Sequence, residues 1–301
     1  MTSTESDPPQ DAQISRNQGR LLIVAAAVLW STSGLFAKSP YFNDWPLEHR
    51  GMLLAFWRAA FASVILLCFV RRPNFHWRYL PLLGCFVVMN ISFLSAMTSG
   101  EASNAIWLQH TAPAWVLMGS LLILRDKVLP KDWTLLAFCA AGIGLILSFE
   151  LQGANSWGAV QGLISGVTYA GVVLSLRYLR DEDSAWVVAI AHIVTALCLF
   201  PYVVYQGIWP SGSQWLPLAG FGMLQMGFPY FLFALGLRKI TSHEASGICL
   251  LEPILVPVWV FIAWHNSPGY QSPAWWTLAG GALILVGLAS KYLLPGKQDR
   301  K

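Results

Sequence analysis

The sequence predicts an all-α polytopic membrane protein, with ten transmembrane helices arranged as two inverted five-helix repeats and both termini cytoplasmic. Three observations carry that prediction. First, 55% of the 301 residues are hydrophobic and only 11% are charged, against about 25% charged in an ordinary soluble domain. Second, the apolar residues fall into ten runs, each near the roughly 20 residues needed to cross about 30 Å of hydrocarbon. Third, the second half of the chain repeats short strings of the first. A soluble chain of this length would need more charge to cover its core. Most of this surface must face lipid, so the bilayer is the first partner implied.

The ten runs are approximately 20–38, 51–70, 79–99, 102–124, 132–149, 156–177, 185–206, 214–237, 243–264 and 274–294. Short polar breaks separate them, and none is long enough to hold a soluble domain. The breaks at Gly100-Glu101 and at Gln152 to Asn155 are the shortest. Residues 1–19 are polar, without the apolar stretch of a secretory signal, and read as a disordered cytoplasmic tail. Residues 295–301 form a second tail.

Lysine and arginine test the topology independently, because they favour cytoplasmic loops. With the N-terminus inside, the inner segments collect 16 of them, from Arg16 and Arg20 to the C-terminal Lys297, Arg300 and Lys301. Outside stand only Lys38 and Arg50, and Arg58 lies within the membrane. The net charge of +4 is therefore topological; it follows no face suited to nucleic acid. Trp77, Tyr79, Trp133, Trp157, Trp215, Trp275 and Trp276 lie near predicted helix ends, where amphipathic rings sit.

Glu101-Ala102-Ser103 recurs as Glu244-Ala245-Ser246, Pro113-Ala114-Trp115-Val116 as Pro257-Val258-Trp259-Val260, and Trp133-Thr134-Leu135 as Trp276-Thr277-Leu278, all offset by 143 or 144 residues. The spacing divides the chain into halves at 20–149 and 156–294. Five helices per half is odd, so the second half enters from the opposite side. Inverted repeats of this kind are common in secondary transporters.

Around these residues the sequence resembles the EamA-type transporters of the drug/metabolite transporter superfamily. The resemblance is carried by Leu29-Trp30-Ser31-Thr32-Ser33-Gly34, Trp57-Arg58-Ala59, Asn104-Ala105, Leu108-Gln109-His110-Thr111-Ala112-Pro113, Ala245 and Leu251-Glu252-Pro253. It extends over residues 20–294. It implies ten helices, a central cavity lined by the first four of each half, and movement of small metabolites or amphipathic drugs, often outward, in a bacterial inner membrane. The Gly-Glu that many members carry after the fourth and ninth helices is replaced by Leu124-Arg125-Asp126 and Trp264-His265-Asn266.

A charge in hydrocarbon costs at least about 2.5 kcal/mol and therefore calls for a reason. Arg58 lies about 12 Å into the second helix at 1.5 Å per residue, and Glu252 is similarly deep in the ninth. Either the two face one polar cavity, as an ion pair or as separate substrate contacts, or Arg58 snorkels and Glu252 serves only backbone freed by Pro253. His110 and His192 are either proton carriers or neutral hydrogen-bonded residues. Trp30, Asn90, Gln109, Tyr169, Gln225 and Tyr230, with Thr168 and Trp57, offer hydrogen bonds or rings at membrane depth; each lines the cavity or ties helices together. Pro113, Pro229, Pro253 and Pro257 interrupt helices as hinges or static kinks. Gly162 and Gly166 mark close helix packing.

No GxxxxGK[ST] phosphate loop or HExxH metal site occurs, and no base accompanies a nucleophile. Cys68, Cys85, Cys139, Cys198 and Cys249 lack metal-ligand spacing and read as packing residues. The expectation is therefore a transporter without cofactor, metal or catalysis. A small organic solute, an amino acid or similar amphipathic metabolite, is its substrate, and a proton or the substrate's own gradient drives it. An uncoupled channel is the alternative.

Overall fold

The computed structural model describes residues 10–119, 130–153, 156–179, 181–240, 242–267 and 270–293. Every regular element among them is helical. Eight helical segments are long and apolar enough to cross a membrane: Ser15–Ala37, Leu47–Leu67, Trp77–Ser99, Asp132–Glu150, Ser156–Leu176, Ser184–Gln206, Gly212–Leu237 and Glu244–Trp264. The protein is thus an integral, multi-pass membrane protein. The predicted run at 102–124 begins as α5 (Ala102–Gln109) and α6 (Ala112–Gly119), and its remainder, with Leu124-Arg125-Asp126, lies outside the described residues. The run at 274–294 is α14 (Trp275–Tyr292), which is not among the eight.

One boundary differs clearly from expectation. Helix α1 spans Gln10–Ser31, so residues 10–19 are helical rather than a disordered tail. The cause is tertiary. Arg16 and Arg20 both bond to Glu244, and the Lys239 ammonium donates to the Gln18 side-chain oxygen at 2.6 Å. Those contacts give a polar segment a reason to continue the helix that its own hydropathy lacks.

The remaining elements are α2 (Ser33–Ala37), α3 (Leu47–Leu67), α4 (Leu80–Ser99), α7 (Pro130–Glu150), α8 (Ser156–Tyr178), α9 (Ser184–Gln206), α10 (Trp215–Ala219), a π-helical stretch (Gly220–Gly227), α11 (Phe228–Leu237), α12 (Ser242–Cys249) and α13 (Leu251–Trp264). Helix α1 packs on α11 and α13, α3 on α9, α4 and α5 on α8, and α7 on α14. Glycines permit the closest approaches. A β-carbon at Gly142 would stand 2.6 Å from the Gly280 carbonyl oxygen, which brings α7 and α14 nearly backbone to backbone. Gly162 and Gly166 pack against Leu108 of α5, as the small-residue spacing predicts. Cys68 and Cys198 are exposed rather than packed inside, and Cys139 is buried.

Several helices break in mid-course, each for a local reason. Between α1 and α2, the Ser31 and Thr32 hydroxyls donate to the Val28 and Leu29 carbonyls at 2.7 and 2.6 Å, competing with the helix ladder. Helix α5 ends at Gln109 and α12 at Cys249. These are the residues four before Pro113 and Pro253, whose rings clash with those carbonyls and whose nitrogens have no hydrogen to donate. Pro257 is accommodated inside α13, and Pro229 lies in the first turn of α11, directly after the π stretch.

Candidate functional site

The breaks place ionisable side chains on helix ends within the membrane. His110 is the C-cap of α5, and Glu252 occupies the first turn of α13. A helix C-terminus favours a cation and an N-terminus an anion. The two meet with His110 Nε2 3.6 Å from Glu252 Oε2. His110 Nδ1 lies 3.0 Å from the Ile106 carbonyl oxygen, an acceptor only, so Nδ1 carries the hydrogen and donates. Nε2 is then protonated only when the ring is a cation. At 3.6 Å the two form an ion pair only when the ring is protonated.

Arg58 is 2% exposed, in α3. Its Nη2 donates to Asn90 Oδ1 at 2.5 Å, and Asn90 is held in turn by its Nδ2 donating to the Phe86 carbonyl at 3.1 Å. The guanidinium also lies over the rings of Phe93 and Phe221, at 5.8 and 5.2 Å from their centroids. A hydrogen bond to a charge contributes about 1.5–3 kcal/mol and a desolvated cation–π contact up to about 2. Together they offset part of the cost of the buried charge, since Arg58 Nε is buried without a hydrogen-bond partner. Arg58 thus neither snorkels nor forms a direct ion pair with Glu252. It does interact electrostatically with both Glu252 and Tyr230, and Tyr169 interacts with the same two groups.

Trp30 completes the apolar side. Its ring meets Tyr230 edge-on at 5.1 Å and Phe233 at 5.2 Å. Its carbonyl, next to the break in the first span, accepts from Gln225 Nε2 at 3.0 Å, while Gln225 Oε1 is buried without a partner. The π-helical turn around Gln225 is the kind of irregularity often found at functional positions. Gln109 is buried one residue before His110, and at the 143-residue offset it is the counterpart of Glu252.

Other expected groups fall elsewhere. Trp57 belongs to an aromatic cluster with Phe56, Trp209 and Trp215. Thr168 spends its hydroxyl on the Ile164 carbonyl of its own helix. His192 is fully buried edge-on to Phe86, and neither ring nitrogen has a hydrogen-bond partner, so it is not the hydrogen-bonded residue expected. The rings flanking Arg58 went unnoticed in the sequence because Phe93 and Phe221 look like any apolar residue of a span.

Two cavities open at the end of the molecule that carries Lys38. One, of about 320 Å³, is lined by Lys38, Arg50, Glu101, Pro257 and Trp264 among others. It runs along α13, on which Glu252 lies more than a turn further in. At the opposite end, Glu244 receives Arg16 at 3.0 Å and Arg20 at 2.5 Å, tying α12 to α1.

Among known families, the model described as the EamA-like transporter family matches residues 17–148 and again 156–291. An uncharacterised transporter of Archaeoglobus fulgidus is 27% identical over 90% of this chain and 94% of its own. The pseudopaline exporter CntI of Pseudomonas aeruginosa is 23% identical over 77% of this chain and 83% of its own. The aromatic amino acid exporter YddG of Ancylobacter novellus is 22% identical over 92% of this chain and the whole of its own.

Proposed function

The chain belongs to the EamA-like transporter family, and from that premise we propose that it is a secondary transporter exporting a small amphipathic metabolite, an amino acid or close relative, across a bacterial inner membrane. The observation that carries the proposal is the cluster built at the helix breaks: a cationic Arg58, a carboxyl Glu252 and an aromatic Trp30–Tyr230 pair at membrane depth. Such a set matches the carboxylate, ammonium and apolar parts of one solute. Broken helices around a midplane site are a recurring transporter device. Exporters of pseudopaline and of aromatic amino acids among the relatives favour efflux of that class.

The mechanism is alternating access between two inverted five-helix repeats, ten helices in all, with both termini cytoplasmic. Helix packing supports the repeat. The contact of the first span with α11 has its exchanged counterpart in α8 with α4, and those of the first span with α12 and α13 in α8 with α5 and α6. Here the Arg16 end is held by Glu244 while the Lys38 end carries open cavities, consistent with an outward-facing state. Glu252, 3.6 Å from His110, carries the coupling proton: substrate ammonium displaces it to the aqueous side, and a proton returning to Glu252 releases the substrate.

The test is flux of radiolabelled phenylalanine and related solutes in liposomes containing the purified protein, with and without a pH gradient. Wild type is expected to give saturable, gradient-driven flux. Glu252→Gln should lose at least about tenfold, since a buried charge leaves its partner unmatched. His110→Gln should retain exchange but lose the response to pH. Wild-type flux in both Glu252→Gln and Arg58→Ala, at equal protein in the membrane, overturns the reading.

A further inference from the structure

The loop between α3 and α4 carries charge that the protein itself does not use. Helix α3 starts near the cavity that Lys38 and Arg50 line and ends at Leu67. The loop after it therefore lies at the opposite end of the molecule, with Arg16 and Arg20. Residues 71–79 hold three arginines, Arg71, Arg72 and Arg78, and no carboxylate. Arg16 and Arg20 are spent on Glu244, and Lys291 on Asp132. Among the described residues, by contrast, none of the three loop guanidiniums has an ion pair or a hydrogen bond.

The loop is nevertheless fixed in place. Asp183 Oδ2 accepts from the backbone amides of Arg71 at 2.7 Å and Arg72 at 2.9 Å, while its Oδ1 caps α9 by accepting from the Ala185 amide at 3.0 Å. Asn74 Nδ2 donates to Glu182 Oε2 at 2.8 Å, Asn74 Oδ1 accepts from the Tyr79 hydroxyl at 2.7 Å, and the Asn74 carbonyl accepts from Trp186 Nε1. Glu182 and Asp183 thus hold the loop through amide groups and leave its guanidiniums free. Phe75 and Trp77 project from the same loop, 65% and 75% exposed. Aromatic rings at the end of a span belong at the headgroup level of the bilayer. Guanidiniums beside them meet lipid phosphates, which they can grip with two parallel hydrogen bonds.

We propose that residues 71–78 form a docking site for the headgroups of anionic phospholipids. Arg71, Arg72 and Arg78 take the phosphates, and Phe75 and Trp77 enter the interface between them. Juxtamembrane basic clusters attract anionic lipid in proportion to their charge; here the network around Asp183 and Asn74 adds a fixed geometry. The bound lipid bears on the connection between α3, which carries Arg58, and α9, which Asp183 caps. The proposal does not depend on what the protein transports or in which direction.

The full chain is reconstituted in an equimolar mixture of phosphatidylglycerol and phosphatidylcholine and extracted in detergent, and the lipids that stay bound are counted by native mass spectrometry. Expected is at least a tenfold preference for phosphatidylglycerol. The triple variant Arg71→Gln, Arg72→Gln, Arg78→Gln should bring it below twofold. Lys297→Gln, Arg300→Gln, Lys301→Gln, which removes the same charge from the C-terminal segment, should leave it in place. Asp183→Ala separates a built site from a count of charges. It makes the chain more positive, so bulk attraction would strengthen retention, whereas release of the loop should weaken it severalfold. Trp77→Ala, which keeps every charge, should also weaken it and provides the reading should the triple variant fail to fold. Glycerol phosphate, which has the charge without the acyl chains, should not displace the lipid. Equal retention of the two lipids, a preference that survives in the triple variant, an equal loss in the C-terminal variant, stronger retention in Asp183→Ala, or displacement by glycerol phosphate at equal concentration overturns the site.

Discussion

Glu101 and Glu244 head the same Glu-Ala-Ser string in the two halves, yet they meet opposite surroundings. Glu244 receives two arginines of α1. Glu101 is met by neutral donors, among them Thr277 at 3.1 Å and Asn104 at 3.5 Å. Lys38, on Glu101's side, gives its ammonium to the Gly100 carbonyl at 2.6 Å instead. The repeat preserves the helix-starting glutamate but not its partner. At the 143-residue offset the counterparts of Arg16 and Arg20 are Ala159 and Leu163. The two glutamates are therefore held with different strength.

The largest effect should come from removing the pairing at Glu244. Its arginines are 51% and 41% exposed, so each pair contributes under about 1 kcal/mol. Together, about 1.4 kcal/mol corresponds to a tenfold shift in the opening equilibrium. Cys249, on the same short helix and partly buried, reports it. With the other four cysteines replaced by alanine, Glu244→Gln should raise maleimide labelling of Cys249 about tenfold, and Glu101→Gln should leave it unchanged. Equal labelling in both variants would erase the contrast between the two ends.

A smaller effect follows from pH at the other end. Burial pushes the Glu101 carboxyl up to about 7 from its ordinary 4.5. A carboxyl raised on folding contributes stability that is present below about 4.5 and lost as pH rises through 7. The charged groups around it are Glu150, which pushes in the same direction, with Lys38, Arg50 and Tyr270 across the two cavities. Lys38, lowered to about 8 by burial, acts oppositely and only above that pH. The thermal midpoint should therefore fall by about 2–4 °C per kcal/mol lost between pH 6 and 8. Glu101→Gln should flatten that fall and Glu244→Gln should not; a slope unchanged in Glu101→Gln assigns it to another group.

Single arginine removals should have the smallest effects. Arg20→Ala, which loses the 2.5 Å contact, should raise Cys249 labelling more than Arg16→Ala, which loses the 3.0 Å one from a more exposed side chain. The double variant should reach the Glu244→Gln rate. A double variant at the wild-type rate would show that the pairs hold nothing closed.

The spans, the breaks and the polar residues at depth were legible because each rests on a local rule: hydropathy over about 20 residues or the missing donor of proline. Pro113 and Pro253 marked interruptions of their runs from sequence alone, and α5 and α12 end four residues before them. The partners of Arg58 were not legible. Asn90 lies 32 residues away on another helix, and nothing local says that its amide faces the guanidinium. The pairing of Glu252 with His110 rather than Arg58 was hidden in the same way, as was the helical extension to Gln10, which depends on a residue more than 220 positions later.

By itself the sequence determined that the chain lives in a membrane, where its helices run and where they break, because lipid leaves the backbone no partner but its own helix. It also carried the family's resemblance and the glutamate that heads the Glu-Ala-Ser string in each half. Only the tertiary structure decided which charges meet. Charge pairing depends on a few ångströms between side chains of different helices, and strings that recur in sequence need not share neighbours. That is why Glu244 meets two arginines and Glu101 meets neutral donors.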